Sequence, residues 1–339
     1  MLYPTFLNKK DTIGVTAPSD GISGHDKISL ARLQYAKQNL TEKGFSVIET
    51  SNVRRSIKGR SGTGSERARE LESLFLREDV KAIICAAGGD FLLEMLPEID
   101  FQILKDHPKW VQGYSDPTAL LFYMTTALDI ATIYGPNIKT FGMQPWHASL
   151  SNNLKILTGH LMVQKSFSQY EKKWIPYQIG NEGFHLDTPV YWEILNDNSC
   201  FMEGRMIGGC IDVLSEIFGT PYDKTLSFIE KYEQDGIIWY FDNAELSSEG
   251  LIRTLWKFKE AGWFQYTKGI LFGRSMIEKS YYDISYQEAI LESLKALEVP
   301  IVIHVDIGHV APQMTIINGA IATVKCQEGK GSLIFSCKK

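Results

Sequence analysis

The chain has 339 residues with 44% hydrophobic and 22% charged side chains, the balance of a globular protein large enough for two domains or one big one. A net charge of -5 argues against a nucleic-acid partner held by counterion release, and the short basic run Arg54, Arg55, Lys58, Arg60 reads as a solvated loop. No basic-then-apolar leader opens the chain and no run of about 18 apolar residues occurs in it, so neither secretion nor a membrane partner is expected. The five cysteines, Cys85, Cys200, Cys210, Cys326 and Cys337, are odd in number and lack C-x-x-C spacing; they read as reduced thiols, with a cytoplasmic location expected.

In chain order, 12–16 reads as a short apolar strand running into the turn Ala17-Pro18-Ser19. Residues 27–43 carry one apolar face of a helix, and 45–48 form the next strand. Ser65 is the expected N-cap of a helix over 66–75. The continuous apolar run 80–86 is a strand buried on both faces, followed by Gly88-Gly89-Asp90 and a helix over 92–96. A fourth strand, 111–114, runs into Ser115-Asp116-Pro117 and a helix from about Pro117. The alternation predicts an N-terminal α/β domain over 1–165, a doubly wound, mostly parallel sheet with its chemistry at the carboxyl ends of the strands.

Residues 166–200 mix aromatic and polar side chains without periodicity and read as a connecting segment. A C-terminal domain of α/β or α+β type is expected over 201–339, the active site lying between the two. Within it 208–214 reads as a helix start, 236–241, 269–273 and 300–305 as strands, and 248–261 as an amphipathic helix. Asn318-Gly319 is a hairpin signal in the alternating tail.

Ser115 on a strand-to-helix turn would project its hydroxyl above free helical N–H groups, the mechanics of a nucleophile elbow, although Pro117 replaces the last glycine of G-x-S-x-G. The same serine can equally serve as a helix cap. Gly88 and Gly89 can bring backbone N–H groups close to a ligand, with the Asp116 amide as a second oxyanion donor, or they form only a tight turn. His309, after Gly308 at a strand end, has the most site-like context of the seven histidines. His304 reads as core, His25, His107, His160 and His185 as surface, and His147 as a possible cleft residue. Asp242 and Glu245 follow a buried strand, and either can orient an imidazole or be a plain turn or pre-helix acid. No metal-ligand spacing and no dinucleotide fingerprint occurs, so no cofactor is expected.

Six pieces in order carry a resemblance: Asp11–Ser19, Gly88-Gly89-Asp90, Gly113-Tyr114-Ser115-Asp116, Tyr134-Gly135-Pro136-Asn137, Gly204–Gly209 and Asp306-Ile307-Gly308-His309. In this order they resemble the LD-carboxypeptidase family of serine peptidases, which includes murein tetrapeptide carboxypeptidases and microcin C self-immunity proteins. The resemblance implies Ser115 as nucleophile, His309 as base, the amides of Gly89 and Asp116 as oxyanion donors, and a homodimer. It puts the family's glutamate at Asp242, an arm shorter by about 1.5 Å. A shifted backbone, replacement by Glu245 and weak activity are the three open outcomes. The implied substrate is a small molecule or short peptide: a murein tetrapeptide losing terminal D-Ala, or an aminoacyl-nucleotide amide. Trp174, Trp192 and Trp239 can stack on a base or fill the core. Arg205 and Arg274 are candidates for clamping a terminal carboxylate. A non-catalytic binding protein on the same scaffold is the competing class.

Overall fold

The structure is a computed structural model and describes residues 1–337. Two sheets organise it. The first has six strands in the order Ile316–Asn318, Thr132–Tyr134, Trp110–Gly113, Val80–Cys85, Thr12–Thr16, Ser46–Glu49. All pair in parallel except Ile316–Asn318, which returns from the far end of the chain as an antiparallel edge. The second sheet has eight strands, with a parallel centre of Ser199–Cys210, Ile237–Asp242, Thr267–Gly273 and Ile301–Val305. Antiparallel strands flank it, including Ile321–Gln327 and Lys330–Ser336 on one side and Glu193–Ile194 on the other. This is the expected α/β architecture of a parallel-rich sheet followed by a second sheet.

The helix Thr118–Leu128 is wedged between the two halves. Its sequence, TALLFYMTTAL, is apolar nearly all round because it is covered on almost every side. Phe122 stacks on Trp263 of the second half at 5.8 Å, and the Cys210 N–H donates to Thr118 Oγ1 at 3.0 Å. Trp239, Phe241, Phe258 and Trp263 continue this aromatic core under the second sheet.

Four local expectations need correction. The helix Gly64–Leu76 is capped by Thr63, not Ser65: Thr63 and Glu66 form a reciprocal capping box. The segment after Phe91 is a 3-10 helix, Leu92–Glu98, containing Pro97. Gly208-Gly209-Cys210 ends the long strand Ser199–Cys210, and the helix begins at Ile211. Glycine is needed at 208 because a Cβ there would collide with the Tyr240 carbonyl of the neighbouring strand. Asn318-Gly319 is not a hairpin turn but the point where the chain leaves the first sheet for the second. The hairpin turn lies at Glu328-Gly329, whose φ values of 49° and 75° suit a type I′ turn.

Candidate active site

The carboxyl ends of parallel strands from both sheets come together around Tyr134, beside a cleft lined by Tyr114 and His309. Trp110–Gly113 delivers Ser115, Val80–Cys85 delivers Gly88 and Gly89, Ile237–Asp242 ends on Asp242, and Ile301–Val305 leads to His309. Ser115 has φ of 70°, a left-handed conformation that a non-glycine residue adopts only under local constraint. The following turn closes with Thr118 N–H donating to the Ser115 carbonyl at 2.8 Å. The helix after it has no side-chain cap, and the Ser115 hydroxyl makes no hydrogen bond among the described residues. A Cβ on Gly88 would lie 2.9 Å from Ser115 Oγ, so only glycine lets that loop sit against the serine.

Asp116 contributes in two separate ways. Its carboxylate accepts from the Ser19 hydroxyl and from the Leu92 N–H at 2.8 Å, tying the elbow to the turns after two neighbouring strands. Burial pushes its pKa up against these bonds. Its backbone N–H, like that of Gly89, has no protein acceptor among the described residues. Two free amides beside an unbonded serine hydroxyl make an anion-receptive corner.

Asp242 is fully buried and accepts three hydrogen bonds. His309 Nδ1 lies 2.6 Å from its Oδ2, the His309 N–H donates to Oδ1 at 3.2 Å, and the Tyr134 hydroxyl donates to Oδ2 at 2.6 Å. Burial opposes charge on His309, but the Asp242 carboxylate outweighs it, so the imidazole pKa lies above its ordinary value. Gly308, with φ of 90°, permits this contact, since any Cβ there would run into the Asp242 carboxylate. Tyr134 also accepts from the Ser115 N–H at 3.4 Å. One phenol oxygen therefore joins the backbone of the serine turn to the acid that holds the histidine. The Tyr114 ring packs edge-on against the imidazole at 5.1 Å.

The LD-carboxypeptidase N-terminal domain matches over residues 13–135, and the LD-carboxypeptidase C-terminal domain over residues 203–324. The chain belongs to the LD-carboxypeptidase family. A Vibrio cholerae protein provisionally named a carboxypeptidase is 27% identical over 331 residues, covering 96% of this chain and 95% of the relative. The microcin C7 self-immunity protein MccF of Escherichia coli is 26% identical, covering 82% and 80%. A Bacillus subtilis protein provisionally named a murein peptide carboxypeptidase is 25% identical, covering 96% and 92%. Among solved structures, MccF superposes with a TM-score of 0.83 at 23% identity, and an MccF-like protein of Bacillus anthracis with 0.83 at 24%, each covering 99% of both chains. The likeness to these two structures establishes the fold of this chain.

Not every sequence candidate reaches the cleft of this LD-carboxypeptidase family member. Glu245 is exposed and makes no bond to His309; its N–H donates to Asp212, which gathers the amides of Ala244, Glu245 and Leu246. Asp90 is exposed and bonds to none of the site residues. Arg205, midway along the strand Ser199–Cys210, is buried on the Asp235 carboxylate and the Gly319 carbonyl. Arg274 is consumed by Asp306 and by the carbonyls of Val310 and Pro312, where it braces the loop carrying His309. Trp192 and Trp239 are core residues, whereas Trp174 lines the cleft. His147 caps the helix Ala148–Leu157 through Nδ1 instead of facing the cleft. Tyr134, Arg32 and Lys139 were given no role from sequence; only Tyr134 carried a signal, through the Tyr-Gly-Pro-Asn run.

Proposed function

We propose that the protein is a serine-type LD-carboxypeptidase that hydrolyses the amide between an L-centre and a terminal D-Ala of a murein tetrapeptide, acting in the cytoplasm on recycled peptides. The observation that carries this reading is the continuous contact from the Ser115 turn through Tyr134 and Asp242 to His309 at one cleft. Asp242 occupies Nδ1, which leaves Nε2 of His309 to take the Ser115 proton as Oγ attacks the scissile carbonyl. The amides of Gly89 and Asp116 receive the oxyanion, His309 then protonates the leaving amine, and water attacks the acyl-enzyme through the same base. Family membership makes peptidase hydrolysis the reaction class.

A second reading is hydrolysis of an aminoacyl-nucleotide amide. It is favoured by the exposed Trp174 at the cleft, a flat surface suited to a base, and by MccF having been solved with aspartyl sulfamoyl adenosine. Incubation with a murein tetrapeptide and with an aspartyl sulfamoyl nucleoside separates the readings. Release of D-Ala supports the first, and release of the amino acid supports the second. Release of neither, with ligand binding unchanged by Ser115→Ala, would make the protein a non-catalytic binder.

A further inference from the structure

The cleft that exposes His309 has a volume of about 550 Å³ and is unbalanced in charge. Arg32, Lys139, Lys172 and Lys173 line it, against the single carboxylate of Glu171, which accepts from the Ile175 N–H at 3.2 Å. Lys172 and Lys173 are exposed and find their counter-charge in solvent. Arg32 and Lys139 do not have that freedom.

Arg32 is 3% exposed and forms no ion pair among the described residues. Its Nε donates to the Lys139 carbonyl at 3.2 Å and its Nη1 to the Glu182 carbonyl at 3.1 Å, while its guanidinium lies 3.7 Å over the Tyr177 ring. These contacts fix the plane of the group without neutralising it, and Nη2 has no protein acceptor. The Lys139 ammonium has neither a hydrogen-bond nor an ion-pair partner among the described residues, and burial pushes its pKa down. The carboxylates that act on it from a distance are engaged elsewhere. Asp26 caps the helix Lys27–Glu42, and Asp20 accepts from the Gly21 N–H and the Ser56 hydroxyl. Glu182 and Glu171 act on Arg32 from a distance, but Glu182 accepts from the N–H groups of Gln178, Ile179 and Gly180, and Glu171 from that of Ile175. Two adjacent, largely buried cations with no carboxylate bonded to them are costly unless an anion completes them.

We propose that Arg32 and Lys139 form the oxyanion clamp of the substrate cleft, binding a carboxylate or phosphate of the ligand through the free Nη2 and Nζ donors. This deepens the hydrolase reading above, since it assigns the anionic end of the substrate to a place on the cleft wall shared with His309. A peptide supplies the anion as its terminal carboxylate, and a nucleotide as its phosphate.

Two matched pairs of ligands test the clamp on the full chain carrying Ser115→Ala: N-acetyl-L-lysyl-D-alanine against its C-terminal carboxamide, and AMP against adenosine. Calorimetry reads binding without turnover, so it is independent of whether the wild-type protein cleaves either substrate. The anionic member of at least one pair should bind about tenfold or more tightly than its neutral counterpart, the pair showing which anion is used. Adding Lys139→Gln should close that gap, and Lys139→Arg should keep most of it. A gap that survives Lys139→Gln, equal affinities within both pairs, or no binding of any of the four would overturn the clamp. No turnover of either substrate by the wild-type protein, with the gap intact in Ser115→Ala, would instead count against the hydrolase reading alone.

Discussion

At the scale of single residues, the proposed mechanism makes the dyad of His309 and Asp242 the source of the pH behaviour. The carboxylate raises the imidazole pKa, and a general base must be neutral to act. The acid limb of kcat/KM should therefore rise through an apparent pKa above about 6.5, the ordinary imidazole value. Asp242→Asn removes the opposing charge, so the residual acid limb should move down while kcat falls by about 10³-fold or more. A profile of kcat/KM against pH for both proteins checks this. Tyr134 gives a second test. Its hydroxyl withdraws charge from the same Asp242 oxygen that holds His309, so Tyr134→Phe leaves that oxygen a stronger acceptor. The acid limb should then shift upward, and kcat should fall about tenfold as the link to the serine turn is lost. An unchanged pH profile would reduce Tyr134 to a packing role.

Elements explain how a short acid reaches its histidine. Asp242 closes the strand Ile237–Asp242, and the loop bearing His309 comes close enough to place two donors on it because residue 308 has no side chain. Gly308→Ala should cost activity at least tenfold, since its Cβ meets the carboxylate and its φ of 90° disfavours any L side chain. Asp242→Glu should also lose activity, by about tenfold or more, because the extra methylene has no room in a fully buried, three-donor site. Steady-state assays with far-UV circular dichroism as a folding control read both; a gain on Asp242→Glu would contradict this account.

The same elements show what sequence can and cannot reveal. Strands 80–85 and 237–242 announced themselves as continuous apolar runs, and Ser115 stood out because a strand gave way to a helix around it. Gly208 and Gly209 misled because a glycine pair before an apolar run looks like a helix start, whereas the requirement was room for the Tyr240 carbonyl across the sheet. Asn318-Gly319 misled for a related reason: turn chemistry is local, but the partner of Ile316–Asn318 lies some 180 residues earlier, in Thr132–Tyr134. Arg205 and Arg274 looked available as clamps because their partners, Asp235 and Asp306, are fixed only by tertiary structure. Arg32 and Lys139 sit in unremarkable contexts, and only folding brings both to the wall of one cleft.

For the whole molecule, the reaction geometry depends on two halves that share structure. Ile316–Asn318 completes the edge of the first sheet, the Met1 ammonium pairs with Asp129 and also donates to Tyr232, and the helix bearing the elbow is buried against Trp263. Removing the C-terminal half would uncover the Thr132–Tyr134 edge and an apolar helix face together. The full chain should therefore unfold in urea in a single transition, with tryptophan fluorescence and far-UV circular dichroism coinciding. A fragment ending at residue 200 should aggregate, or unfold at a clearly lower urea midpoint. Two separated transitions in the full chain would mean that the halves are stable alone. In that case the Tyr134–Asp242 bond would span a mobile junction, and the alignment of Ser115 with His309 would have to come from ligand-driven closure instead of from the fold.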